Sequence, residues 1–147
     1  MAGPAAMVRT RSRGTSMSEQ QRILCIDGDE DFRRAVSGRL AAEGFAVTAA
    51  ASKTGGLTAA ASVSFDLILL DMRLAEQDGL ATYQALRTHP TTRHAPMILV
   101  TALAAADYWE ALPYDTDGPC FMMGRSDDVD LLLARITQLL AEGTITW

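Results

Sequence analysis

Four carboxylates crowd one short stretch of this chain, and a fifth closes a distant apolar run. Residues 22–32 read RILCIDGDEDF, where an apolar segment turns acidic at Asp27, Asp29, Glu30 and Asp31. Residues 65–74 read FDLILLDMRL, where a second apolar segment stops at Asp71. A third segment, APMILVTA, ends in the hydroxyl of Thr101. Carboxylates brought together repel one another, and a hard divalent cation such as Mg²⁺ relieves that repulsion through oxygen ligands. A carboxylate is also a competent nucleophile toward phosphorus. A hydroxyl beside it can hold a phosphoryl oxygen. Helix capping accounts equally well for Asp29, Glu30 and Asp31, because acids favour a helix N-terminus. It accounts less well for Asp71, since no helix is expected until several residues later.

The surrounding pattern is strand then helix, five times over. Short apolar runs at 23–27, 45–50, 66–71, 96–101 and 119–123 read as strands. Most are apolar throughout rather than alternating, as when both faces of a parallel sheet are covered. Helices are expected at 29–43, 52–63, 79–88, 103–112 and 127–142. In the first, Phe32, Ala35, Val36 and Leu40 form the apolar stripe, with Arg33, Arg34 and Arg39 elsewhere. The Gly55–Gly56 pair predicts a short helix or an irregular start for the second. Asp78 is placed to cap the third. In the last, Val129, Leu132, Leu133, Ile136, Leu139 and Leu140 share a face, with Arg135 and Gln138 opposite. The fold class that follows is a doubly wound α/β domain. With strand order 2-1-3-4-5, strands one and three meet at the switch point, where such sheets bind ligands at their carboxyl ends. Asp27 and Asp71 then share one crevice, with Thr101 beside them.

Size and composition set the limits. The chain has 147 residues, 48% of them hydrophobic and 21% charged, which suits one globular domain. No apolar run is long enough for a membrane span. The net charge is −5. Residues 1–20 hold three arginines and one glutamate, so the remaining 127 carry −7. An acidic body argues against a nucleic-acid face. Residues 1–20 lack a hydrophobic period and read as a disordered extension, with Met17 an alternative start. Residues 21–142 are expected to form the domain and 143–147 a tail, with no room expected for an effector domain. Two cysteines without metal spacing, and no export signal, predict reduced thiols in a cytoplasmic protein. His89 and His94 flank Pro90 in a polar loop and are expected to be exposed.

The segments ILCIDGDEDFRR, DLILLDMRLAEQDG and APMILVTA, with LLLARI in the last helix, resemble the receiver domain of bacterial two-component response regulators. The likeness runs from about Arg22 to Leu140. It implies a flavodoxin-like (βα)5 fold, a signalling rather than an enzymatic role, and Mg²⁺ as cofactor. It implies that Asp71 is the phosphoacceptor, that Asp27 is the first of the family's acidic pair, and that Thr101 and Phe121 are the switch residues. It also implies a protein partner, either a histidine kinase or a downstream signalling protein. That partner would dock on the face built by the fourth helix, the fifth strand and the fifth helix, where homodimerisation is also expected.

Four positions depart from the pattern. Gly28 replaces the second acid, which ordinarily contacts the metal, leaving Asp27, Asp29 and Asp71 as the acidic set. Gly124 stands where the family has lysine, and Arg125 where it has proline, so Arg125 is the candidate phosphate-facing cation. Ala75 replaces a usual proline after Asp71. Removing a metal ligand and a phosphate-facing cation takes away much of the electrostatic stabilisation that phosphoryl transfer needs. The expectation is a pseudo-receiver acting as a binding module. The alternatives are a genuine phospho-switch at Asp71 and, more remotely, a small Mg²⁺-dependent phosphatase or phosphotransferase. Tyr108 and Trp109 are adjacent on the fourth expected helix and cannot both be buried on one face, so at least one is a candidate anchor on the partner face.

Overall fold

A computed structural model of the chain describes residues 20–73, 78–101, 120–124 and 129–142. Five strands, β1 (Arg22–Ile26), β2 (Ala46–Ala50), β3 (Leu67–Asp71), β4 (Met97–Thr101) and β5 (Cys120–Gly124), form one parallel sheet ordered β2-β1-β3-β4-β5. This is the 2-1-3-4-5 order expected from the sequence. Four helices are described: α1 (Glu30–Ala42), α2 (Lys53–Ser62), α3 (Asp78–Thr88) and α4 (Val129–Glu142). The helix expected at 103–112 lies outside the described residues, as do residues 1–19 and the tail at 143–147. No described helix is long and apolar enough to cross a membrane.

The uniformly apolar strands follow from two cores, one on each face of the sheet. In β1, Leu24 and Ile26 point toward α2 and α3, while Ile23 and Cys25 point toward α1 and α4. The same alternation divides Ile68 and Leu70 of β3 from Leu67 and Leu69. Each fully buried side chain of this size contributes about 1.5–3 kcal/mol. The edge strand β2 differs, since its Thr48 and Ala49 are exposed. An edge strand has one free side, so it does not need the continuous apolar run of the central strands.

Local structure departs from the sequence reading in instructive ways. The helix α2 begins cleanly at Lys53, capped by the Ser52 hydroxyl, which accepts from the Gly55 amide at 3.1 Å. The glycines do not fray it. A Cβ at Gly56 would come within 2.5 Å of Ile26, so this glycine allows helix and sheet to approach closely. In α1, Val36 and Leu40 are buried with Phe32 against them, but Ala35 is exposed. In α4, Leu132, Ile136 and Leu139 are buried, whereas Leu131 is 38% exposed and Arg135 and Gln138 are half-buried.

Below the sheet, the loop from α3 into β4 is held by a buried cation. Arg87, 8% exposed, donates from Nη1 to the carbonyls of Ala95 at 2.6 Å and Arg93 at 3.2 Å, and lies 5.7 Å from the Tyr83 ring. Replacing it would strand buried carbonyls that a charged donor now satisfies. Arg87→Met is expected to lower stability by about 2–3 kcal/mol in urea unfolding.

Candidate functional site

The register of the sheet brings the two key aspartates level. Ile26 of β1 pairs with Leu70 of β3, so the next residues, Asp27 and Asp71, emerge side by side from strands about 4.8 Å apart. Asp27 lies one residue beyond β1, but its amide still bonds to the Ala50 carbonyl at 3.0 Å. Both carboxylates are held at the bottom of the crevice, with Asp27 1% and Asp71 4% exposed.

Each aspartate closes its own loop in the same way. Asp27 Oδ1 accepts from the Asp29 amide at 2.9 Å, and Asp71 Oδ1 accepts from the Arg73 amide at 2.8 Å. Such side-chain to main-chain bonds two residues on are a common aspartate turn. The turn turns the chain sharply at the strand end and fixes the carboxylate's direction. Behind Asp71, Met72 is buried in the core and its amide bonds to the Val100 carbonyl at 2.9 Å. Gly79, the second residue of α3, lies so close to Met72 that an added Cβ would sit 2.4–2.5 Å from three of its backbone atoms. The start of α3 therefore buttresses the loop that carries Asp71. The sequence shows Gly79 only as a glycine near a helix start, and nothing local indicates this contact.

The other expected residues are placed as follows. Asp29 is the N-cap of α1, and its Oδ1 accepts from the amides of Asp31 at 3.0 Å and Phe32 at 3.2 Å. Its carboxylate serves the helix terminus, where four amides lack intrahelical partners. Thr101 closes β4 and pairs in register with Gly124, which closes β5. Position 124 is thus two strands, about 10 Å, from Asp71. A long side chain spans that gap and a glycine does not. The side chains of Thr101 and Phe121, and all of Tyr108, Trp109 and Arg125, lie outside the described residues. Arg73 is exposed.

One cation returns from α1 to the main chain at the end of β1, which the helical pattern of α1 did not indicate. Arg33, four residues into the helix, bends back and donates from Nη1 to the Asp27 carbonyl at 2.8 Å. It is half-buried rather than solvated.

The response regulator receiver domain family matches residues 23–118, well over half of the chain. The chain belongs to the response regulator receiver domain family. The receiver is 35% identical over 119 residues to the response regulator PleD of Caulobacter vibrioides, covering 80% of this chain and 26% of that protein. It is 30% identical over 88 residues to a probable chemotaxis protein CheY of Rhizobium etli, covering 59% of this chain and 68% of that one. The receiver spans about a quarter of the length of PleD, and the same of AtoC of Escherichia coli. Among solved structures, a CheY-like receiver from Methanospirillum hungatei superposes with a TM-score of 0.69 at 24% identity, covering 84% of this chain and 95% of that one. The receiver of the sensor histidine kinase PA1611 from Pseudomonas aeruginosa, which has a magnesium ion in its active-site cleft, gives 0.71 at 22% identity, covering 84% and 99%. These structural likenesses carry the fold.

The donor set of this receiver fits a resident magnesium ion poorly. Mg²⁺ demands near-octahedral oxygen donors and keeps several waters besides one or two carboxylates. Asp27 and Asp71 supply two carboxylates, each with an oxygen already accepting an amide. Gly28 supplies none, and Asp29 caps α1. Among the described residues, no group of three or more His, Cys, Asp and Glu is arranged to hold a metal.

Space for the missing acid does exist. A Cβ at Gly28 would meet only the Ala51 carbonyl, at 3.8 Å, and the residue is outside the left-handed region. Gly28→Asp is therefore expected to fold, to melt lower without divalent cations because a third carboxylate joins the crevice, and to recover that loss when Mg²⁺ is added. Gly79→Ala is expected to cost about 2 kcal/mol or more, since the clash is with main chain that cannot rotate away. Thermal melts with and without Mg²⁺ test both.

Proposed function

We propose that this receiver is a protein-binding module of two-component signalling whose phosphoacceptor site is impaired. The observation that carries the reading is the state of position 28. The next acid along, Asp29, is bonded to the first amides of α1, which supports reading the ligand at position 28 as lost. Gly124, level with Thr101 at the end of β5, leaves the phosphate-facing side without its usual lysine. Arg125 is the nearest replacement in sequence, and an arginine is not equivalent to a lysine at a phosphate site. Asp71 keeps its position and loop, so the nucleophile is present while its electrostatic support is reduced. Phosphoryl transfer depends on that support more than on the nucleophile itself.

The partner on this reading is a histidine kinase or a downstream signalling protein. It engages the face carrying Tyr108 and Trp109, where a second copy of the chain is the competing occupant. Tyrosine and tryptophan are favoured interface anchors. The module is a signalling element rather than an enzyme, it works without nucleic acid, and Mg²⁺ binds weakly.

Incubation with acetyl phosphate and Mg²⁺, followed by intact-mass measurement, tests the proposal. The wild-type protein is expected to show no phosphoryl-sized mass gain. The Gly28→Asp/Gly124→Lys double variant is expected to acquire one. A gain in the wild type that Asp71→Asn abolishes would instead make the protein a phospho-switch.

A further inference from the structure

Among the described residues, nothing pairs with the outer side of the edge strand β2. The Ala46 amide donates to the Gln21 carbonyl at 2.9 Å, and the Asp27 amide donates to the Ala50 carbonyl at 3.0 Å. Residues 46, 48 and 50 therefore bond to β1, and the main-chain groups of Val47 and Ala49 point outward. Edge strands ordinarily guard such groups with a proline, a charge or a bulge. Here Ala46–Ala50 reads AVTAA, with none of the first two. Its register with β1 runs unbroken from Ala46 to Ala50, so there is no bulge either. Thr48 and Ala49 are exposed. The charges stand at the two ends instead. Glu43 closes α1 and Lys53 opens α2, equally spaced on either side of Thr48. Neither forms an ion pair among the described residues.

We propose that β2 is a self-association edge, to which a second copy of this chain adds antiparallel and extends the sheet across a two-fold axis at Thr48. The pattern is self-complementary, as a two-fold contact requires. Centred on Thr48, Val47 of each chain lies opposite Ala49 of the other. These are the residues with outward main-chain groups, so both close as hydrogen-bonded pairs, and the two threonines meet as the non-hydrogen-bonded pair between them. The same arrangement brings Glu43 of each chain to the end of the strand where Lys53 of the other stands. A parallel partner in register would gather like charges at each end instead. The edge lies across the sheet from β5, so this contact is separate from the partner face expected beside that strand. It does not depend on whether Asp71 accepts phosphate. With five strand residues from each chain the contact is small, so the dimer is weak and follows concentration.

Sedimentation velocity on the full chain, from micromolar to millimolar concentration, tests the proposal. The wild type is expected to pass from monomer to dimer. Thr48→Lys sets two like charges opposite each other at the centre. Ala49→Pro deletes an outward amide, at a place where an edge strand tolerates proline. Both variants are expected to stay monomeric throughout, and the exposed Thr48 position keeps the test open should Ala49→Pro not fold. Glu43→Lys and Lys53→Glu are each expected to weaken the dimer severalfold, and the two combined to restore it. Each change places its new charge favourably at a helix end, so folding is spared. Thr48→Cys is expected to give a covalent dimer on mild oxidation that the wild type does not give. The Cα atoms of a non-hydrogen-bonded pair lie about 4.5 Å apart, within disulfide reach. A wild type that remains monomeric would overturn the proposal. So would a dimer that survives Thr48→Lys and Ala49→Pro, a combined charge exchange that fails to restore association, or a dimer lost in Trp109→Ala but kept in Thr48→Lys.

Discussion

The pairing of β1 with β3 is the constraint on which the site depends. Parallel strands in register deliver their last residues to one level, and here those residues are aspartates. Loop amides offset part of the cost of burying them. Each carboxylate accepts an amide from its own loop, α1 begins beside the first, and Arg33 returns to the main chain at its foot. The apolar cores on both faces fix the strands, so the acids cannot move apart to relieve their repulsion. A strained or charged site of this kind persists only when the surrounding packing holds it in place.

The loop carrying Asp71 shows how that rigidity is transmitted. Met72 anchors in the core, Gly79 lets α3 press on the Met72 backbone, and the Arg73 amide holds the carboxylate. The position of Asp71 is therefore set by residues that also hold the fold together. Glycine at 28 and at 124 removes side chains without disturbing this frame. Gly28 has open space around it, and Gly124 ends an edge strand.

Much of the fold was legible because its signals are local and redundant. Near-continuous apolar strands, the five-fold strand–helix alternation and the α4 stripe each report on burial, and they agree. The strand ends could be placed to within one residue, which sufficed to set Asp27 and Asp71 in one crevice. Local reading went astray where a residue answered to a distant neighbour. Gly56 looked like a helix breaker but accommodates Ile26. Arg33 fell on the polar side of a helical pattern yet reaches back to Asp27.

The sequence by itself determined the family, the strand order and the identity of the two facing acids, since periodicity and motif spacing are properties of the chain. Only the tertiary structure decided how those acids are held: by loop amides on each carboxylate, and by the close approach of Gly79 to Met72 behind Asp71. Such contacts depend on distance through space, which spacing along the chain does not encode.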